Sequence, residues 1–404
     1  MKSTKPTLLF YCQHSLGMGH LVRALTLAAA LAEQFKVVLL NGGRFPEPIM
    51  LPVGVDIINL PPLGMNRENQ LFSQDEHYSL EAAHEIRRRM ILNAYATYQP
   101  EVILIELFPF GRKKFACELL PLLKTVKRQN RQEVRVFCSL RDIMVNARKD
   151  QLRHDNRACW LIERYFDAIM VHSDIRFARL EESFNPTHRL KTAVYYTGFV
   201  LPREDNIKSL TRERRVIVSA GGGMVGGPLF RAALDAHRIL WEKANLPMTL
   251  VAGPFLPEQD WRVLQQATKR FPGLRIHRSV PGMQGLLAKH CCSVSQCGYN
   301  TAMDLLKSGV AALVVPFSQG QEDEQGNRAR RLAKLGLLRT LDAELLNGER
   351  LADEIEVLQQ FAPNPVKLDM DGARQTTKLV EQLLASGKSK IYGKQITSTG
   401  VANV

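Results

Sequence analysis

The stretch from Ser295 to Gly336, SQCGYNTAMDLLKSGVAALVVPFSQGQEDEQGNRARRLAKLG, restricts the fold more than any other part of the chain. It reads as strand end, glycine turn, helix, buried strand, polar loop and second helix. Cys291 to Ser295 forms a short strand ending in Gln296-Cys297-Gly298. Asn300 to Ser308 has helical spacing, with Ala302, Leu305, Leu306 and Gly309 on one apolar face. Val310 to Pro316 is a continuous apolar run, as a parallel strand covered on both faces requires. Ser318 to Gln325 is almost wholly polar, and Ala329, Leu332, Ala333 and Gly336 resume helical spacing. Open α/β sheets bind ligands where strands end and helices begin, here at Gly298–Asp304 and Phe317–Gln325. Helix N-termini carry free N–H groups and partial positive charge, which suits a phosphate. Asp304, one turn into its helix, is spaced either to accept hydrogen bonds from a ribose diol or to complement the helix dipole. The run Gln321 to Gln325 also has the composition of a solvated loop.

The same alternation runs through the chain. Leu8–Cys12 is the first strand, followed by a helix over Leu21–Phe35 and a strand over Lys36–Leu40. Residues 61 to 80 read as a long connection. Leu80–Tyr98 is a helix with Arg87, Arg88 and Arg89 on its solvated surface. Strands follow at Glu101–Leu107, Val134–Ser139, Ala168–His172 and Ala193–Phe199, with helices over Lys113–Gln129 and Arg157–Phe166. A chain of 404 residues exceeds the size of one core, which rarely grows beyond about 250–300 residues. The expected division is residues 1–200, a charged, Pro-containing linker at 201–212, a second domain at 213–366, and a helix at 367–386 crossing back to the first domain. Residues 387–404 are polar and expected to be a disordered tail. The fold class is α/β, two doubly wound Rossmann-like domains facing across a cleft.

Each half opens with a glycine turn. In the first, Gly17 and Gly19 allow a ligand to approach the backbone, and His20 stands at the helix start, where it either faces that ligand or caps the helix. Arg23 follows, so no G-x-G-x-x-G fingerprint is completed. In the second, Ala220-Gly221-Gly222-Gly223 opens a helix from Pro228 to Lys243 and is suited to cradling a diphosphate. It lacks the Gly-Lys-Ser/Thr of a P-loop. Glu106 and Asp142 lie at strand ends and are candidate general bases; an ion pair with Arg112 or Arg141 accounts for Glu106 equally well. His172 reads as structural.

A net charge of +14 fits an anionic ligand, an anionic membrane surface or nucleic acid. The basic residues are dispersed, with clusters only at Arg87–Arg89, Arg112–Lys114 and Lys124–Arg135. There is no aromatic-interleaved basic platform, so nucleic acid is disfavoured. The seven cysteines, at 12, 117, 138, 159, 291, 292 and 297, show neither CxxC nor a zinc-ligand pattern, and scattered thiols of odd number suit a cytoplasmic protein. No signal peptide and no run of 18 apolar residues is visible.

The pattern Gly298-x-x-Thr301-x-x-Asp304, with Gly309, Pro316 and Glu324-Gln325 following, resembles the donor-binding segment of GT-B glycosyltransferases. The similarity is to family 28 and to the lipid II-forming N-acetylglucosaminyltransferases within it. Gly17-x-Gly19-His20-x-x-Arg23 resembles the first loop of the same enzymes and of related nucleotide-sugar hydrolases. The resemblance implies transfer of a sugar from a nucleotide-diphosphate sugar, commonly UDP-linked, to a hydroxyl acceptor; no DxD-like metal site is read in the sequence, so neither a bound metal nor a cofactor is expected. It also implies that the diphosphate rests on Gly222, Gly223 and the turn Ser295 to Thr301, including Gly298 and Asn300. Asp304 would hold the ribose, Glu324 and Gln325 the donor sugar, and backbone near Val280 and Met283 the base. Arg23, His20 or Arg328 would offset charge on the leaving diphosphate. His20, Glu106 or Asp142 would deprotonate the acceptor. Asp304 replaces the usual Glu, Ala311 a common Pro, Arg328 the usual Asn, Arg23 a usual Pro and Gly223 a usual Ser. A hydrolase or epimerase on the same fold, and a non-catalytic binding protein, are the rival readings. The acceptor is left open between a small molecule, a carbohydrate and a lipid-linked group at the inner membrane face.

Overall fold

A computed structural model describes residues 5–14, 19–45, 51–66, 70–129, 134–143, 150–202, 211–317 and 324–389. In the first half, β1 (Thr7–Cys12), α1 (Gly19–Leu31), β2 (Lys36–Asn41) and β3 (Val55–Asn59) lead into a small antiparallel pair, β4 (Leu63–Met65) and β5 (Leu71–Ser73). Then come α2 (Leu80–Tyr98), β6 (Val102–Glu106), α3 (Ala116–Arg128), β7 (Arg135–Arg141), α4 (Gln151–Tyr165), β8 (Ala168–His172) and β9 (Ala193–Tyr196). The second half comprises β10 (Glu213–Ser219), α5 (Gly227–Ala244), β11 (Met248–Val251), α6 (Glu258–Thr268), β12 (Leu274–His277), α7 (Met283–Ala288) and β13 (His290–Ser295). It continues with α8 (Tyr299–Ser308), β14 (Ala311–Val314), α9 (Glu324–Lys334), β15 (Arg339–Thr340), α10 (Gly348–Leu358) and α11 (Gly372–Ser389).

The two large sheets are parallel and repeat one topology. Their orders are β3-β2-β1-β6-β7-β8-β9 and β12-β11-β10-β13-β14-β15. In each, the chain winds outward from a central strand, returns, and winds outward the other way. The order therefore reverses between β1 and β6, and again between β10 and β13. Strand composition follows from burial on both faces: Leu8, Phe10 and Cys12 pack with α1, while Leu9 and Tyr11 pack with the α2–α4 side. Val380 and Leu384 of α11 join the cluster of Leu21, Ala24 and Ala28, so the last helix packs against α1. A further core mixes the halves, with Phe177 and Phe199 beside Ile217, Tyr299 and Leu337.

Two local expectations change. The connection 61–80 contains the β4–β5 pair, too short and irregular to show a period in sequence. Arg87 is fully buried rather than solvated. Its guanidinium pairs with Glu118 at 2.6 Å and donates to Gln13 Oε1 (2.6 Å) and to the Gly42 and Pro61 carbonyls (2.9 and 2.8 Å). One cation thus ties the segments after β1, β2 and β3 together at the sheet's carboxyl edge. Among the described residues no helix is long and apolar enough to cross a membrane.

Candidate active site

Ligands in open parallel sheets lie outside the strand carboxyl ends where the order reverses. At the first reversal, Gly19 opens α1; Gly17 lies outside the described residues. A Cβ added at Gly19 would meet nothing within 4 Å, so packing within the protein does not call for glycine there. At the second reversal, Gly298 is the extended N-cap of α8 and no side chain caps that helix, leaving its first amides without the usual partner. Gly221, at φ +57°, brings its turn against the same place: a Cβ there would lie 3.2 Å from Thr301 Oγ1. Asn300 Nδ2 donates to the Gly19 carbonyl at 3.3 Å. The two glycine-opened helix starts therefore face each other across the two sheets.

His20 is largely buried at this junction, its Nδ1 2.7 Å from Glu106 Oε1. Arg23, only 2% exposed, forms an ion pair with the same oxygen. Burial presses the His20 pKa down to about 3 against the pull of Glu106, so the ring is neutral at pH 7. Burial also opposes the Glu106 carboxylate, but His20, Arg23 and Arg112 outweigh it and hold its pKa well below the usual carboxylate range. An ionised Glu106 accepts the Nδ1 proton, fixes that tautomer, and leaves Nε2 with its lone pair. Glu106 itself is fully buried, which removes it as a direct base and makes it a positioning residue for His20. His14 sits apart, hydrogen-bonded to Asn41 Oδ1 at 3.1 Å, and burial lowers its pKa to about 4. His172 bridges Ser139 and Thr197 at 2.8 and 2.9 Å, a structural role.

Asp142 is not a base in this arrangement. It is buried, and Arg328 grips it through two bonds of 2.7 and 2.8 Å. Arg328 is itself wholly buried and also donates to the Cys297 carbonyl at 2.8 Å, so it joins the halves instead of facing a donor. Glu324 is likewise engaged by Arg141 of the first half, and Gln325 Oε1 accepts from the Cys297 and Phe317 amides at 3.0 and 3.2 Å. Tyr299 completes the junction. Its hydroxyl donates to the His172 carbonyl (3.0 Å) and accepts from the Val200 amide (2.9 Å), and Arg23 and Arg328 stack on its ring at 5.1 and 5.9 Å.

On the donor side, Asp304 is half-buried and accepts from Gln284 Nε2 at 2.9 Å. Val280 and Met283 lie half-buried beside the same core. Ser295 is sealed within a hydroxyl chain to Ser219 and Ser293 at 3.0 and 3.1 Å, so its side chain is not a ligand contact. Gly223, at φ +89°, has an internal reason to be glycine: a Cβ would lie 2.3 Å from the Ala252 carbonyl. The Gly222 carbonyl accepts from Phe255 N at 2.9 Å. This loop is therefore held against residues 252–256, rigid and available only through its outward backbone.

No DxD-like metal motif was expected, yet Asp369 and Asp371 have that spacing. They organise the start of α11, Asp369 Oδ1 accepting from the Asp371 amide and Asp371 pairing with Arg374. Among the described residues Cys159, Glu163 and His188 bring ligand atoms within 4.8 Å of one another, a grouping invisible in the cysteine spacing because His188 comes from a distant loop. Tyr299 and Gln284 were missed, since a tyrosine at helical apolar spacing reads as core; Arg141, expected as a partner of Glu106, pairs instead with Glu324 across the halves, and Glu106 pairs with Arg23.

Residues 216–383 match the model of the glycosyltransferase family 28 C-terminal domain. A stretch of 131 residues, 30% of this chain, is 28% identical to a UDP-N-acetylglucosamine--N-acetylmuramyl-(pentapeptide) pyrophosphoryl-undecaprenol N-acetylglucosamine transferase of Gloeobacter violaceus and spans 37% of that protein's length. Solved structures resemble the whole chain. A glycosyltransferase of Arabidopsis thaliana complexed with UDP-L-rhamnose superposes with a TM-score of 0.57 at 14% identity, covering 96% of this chain and 95% of that one. The calicheamicin glycosyltransferase gives 0.55 at 15%, with coverage of 96% and 95%, and the MurG protein of Acinetobacter baumannii 0.51 at 15%, with 95% and 99%. The whole chain therefore shares the two-domain α/β fold of these solved glycosyltransferases, and its similarity to the family 28 C-terminal domain lies over residues 216–383.

Proposed function

We propose that the protein transfers a sugar from a nucleoside-diphosphate sugar, UDP-linked and in the first instance UDP-N-acetylglucosamine, to a hydroxyl acceptor, without a bound metal. The carrying observation is the meeting of the uncapped α8 N-terminus, the Gly221 turn and His20 at one junction. Free amides at Tyr299, Asn300 and Thr301 suit the diphosphate, and their dipole favours the charge that grows on it as it leaves. Asp304 would hold the ribose, and backbone near Val280 and Met283 the base. The acceptor oxygen forms a bond to the sugar's anomeric carbon as the bond to the diphosphate breaks. The acceptor proton passes to Nε2 of neutral His20, and Arg23 and Glu106 hold the ring in place. The division at 201–212, with the acceptor on the first domain and the donor on 213–366, belongs to the same proposal. So does a cytoplasmic location, peripheral at an anionic membrane where the acceptor is lipid-linked.

The names of the similar proteins support a UDP donor, since one is a UDP-N-acetylglucosamine transferase and another was crystallised with UDP-L-rhamnose. Hydrolysis of the same donors is the second reading, because His20 and Glu106 would activate water as readily as an acceptor hydroxyl. The test is incubation with UDP-N-acetylglucosamine, UDP-glucose and UDP-rhamnose, with and without an acceptor library. UDP release that requires an acceptor supports transfer. Stoichiometric free sugar without one establishes hydrolysis, and absence of any UDP binding refutes both.

A further inference from the structure

A cavity of about 680 Å³ opens in the first half, between the loop after β6 and the first turn of α4. Among the described residues its charged wall is Arg112, Lys113, Lys114, Arg153 and Arg157, with Asp150 the one acidic residue, paired with Arg153 at 3.8 Å. The Arg112 side chain makes no hydrogen bond or ion pair among the described residues, and its Nε is buried without a partner. It is held at φ +59°, a conformation unusual for a non-glycine residue. The first turn of α4 adds its positive end to the same space, and its N-cap Asp150 makes no side-chain capping bond. Arg112 is half-buried, and its sealed Nε–H is a donor that an anionic oxygen would satisfy. The cavity is lined by Gly111 to Phe115 of the loop that leaves β6 at Glu106, so it adjoins the junction, and the Arg112 charge acts on Glu106 and His20.

We propose that this cavity binds an anionic group, a phosphate or a carboxylate, and, resting on the glycosyltransferase reading, that the group belongs to the acceptor whose hydroxyl reaches His20. The cavity has ample room for a diphosphate or an acidic sugar. The cation wall gives the acceptor an anchor distinct from the donor's helix terminus, so an acceptor without an anion would bind weakly and in no fixed orientation.

The probe is inorganic pyrophosphate, titrated calorimetrically into the full chain with saturating UDP present to occupy the donor side. Binding should weaken with salt. It should fall about tenfold or more in Arg112→Asn, which keeps a residue tolerant of positive φ, and in the exposed pair Lys113→Ala/Arg157→Ala, for which folding is not at issue. UDP binding should stay unchanged in both variants. Pyrophosphate affinity identical in wild type and both variants would overturn the inference while leaving the donor reading intact. Cavity-dependent pyrophosphate binding without any UDP binding would sink the donor reading and keep the anion site. Co-sedimentation with phosphatidylcholine vesicles, with and without phosphatidylglycerol, separates the sources. Retention on the anionic vesicles that the Lys113→Ala/Arg157→Ala pair abolishes marks a lipid headgroup, and no retention marks a soluble anion.

Discussion

Replacing Glu106 by Gln tests the junction most sharply, because one oxygen serves two partners. Glu106 Oε1 accepts from His20 at 2.7 Å and pairs with Arg23. Arg23 is 2% exposed and the carboxylate 0%. Removing one member of a buried pair leaves the other charge uncompensated and costs about 3–5 kcal/mol. The amide oxygen still accepts one hydrogen bond, so the lower end of that range is expected. The rate effect is separate. Without the carboxylate, Nδ1 no longer has a strong acceptor for its proton, and the tautomer with Nε2 free is no longer enforced. Losing a positioned base lowers turnover by about 10²–10⁴-fold. Glu106 touches no donor group in this account, so the donor KM should change little. The assay is steady-state UDP release well below the melting temperature of the variant, alongside urea denaturation. On a His20→Ala background, Glu106→Gln should add almost no further rate loss, because both changes remove one unit of function. Independent, multiplicative losses would refute the argument that Glu106 acts through His20.

Three further outcomes follow from the same geometry. Gly19→Ala should leave stability unchanged or slightly raised, by up to about 1 kcal/mol from helix propensity, yet weaken ligand binding; Gly223→Ala, at φ +89° and 2.3 Å from a carbonyl, should lower the melting temperature markedly, and equal thermal behaviour of the two would contradict the distinction. Asp142→Asn should cost about 3–5 kcal/mol through the stranded Arg328, whereas Asp142→Leu with Arg328→Met should recover much of it, as denaturation curves would reveal. Burial lowers the pKa values of His14, His20 and His172 to about 4, 3 and 3. The folded state therefore binds these protons less readily than the unfolded one. Their stabilisation is complete above about pH 6.5 and is lost as pH falls towards 4, by about 1.4 kcal/mol per unit for each ring. A melting temperature flat between pH 7 and 5 would show the rings to be less buried than described.

The fold was legible because parallel strands covered on both faces must be continuously apolar. Val37–Leu40 and Ala311–Val314 meet that demand in sequence and are buried in the structure. Glycine turns after β10 and β13 were legible for a related reason, since the backbone has to turn tightly from strand to helix at Gly221, Gly223 and Gly298. What sequence could not separate was ligand contact from long-range pairing. Arg328 and Asp142 are 186 residues apart, and no local pattern links them, so both looked like cleft residues. Arg87 resembled its exposed neighbours Arg88 and Arg89, because a helix surface gives no sign that one of three adjacent arginines turns inward to Glu118. His20 and Glu106 were each singled out, but their division of labour rests on which is sealed from the cleft. That is a matter of burial and not of spacing. Gly17 and much of the loop before Glu324 lie outside the described residues, so the expectations placed there are carried by sequence alone.

The most direct measurement is thermal stabilisation by UDP, GDP, dTDP and CDP, with and without a sugar, for the wild type and Asp304→Ala. A ligand that binds only the folded state adds about 2.7 kcal/mol at 100 times its dissociation constant. A clear shift is expected with UDP and UDP-sugars that Asp304→Ala largely abolishes, while the unliganded variant loses only the about 1–3 kcal/mol of a stranded Gln284 amide. Absence of a shift with every nucleotide, or a UDP shift undiminished in Asp304→Ala, would contradict a donor site at the start of α8.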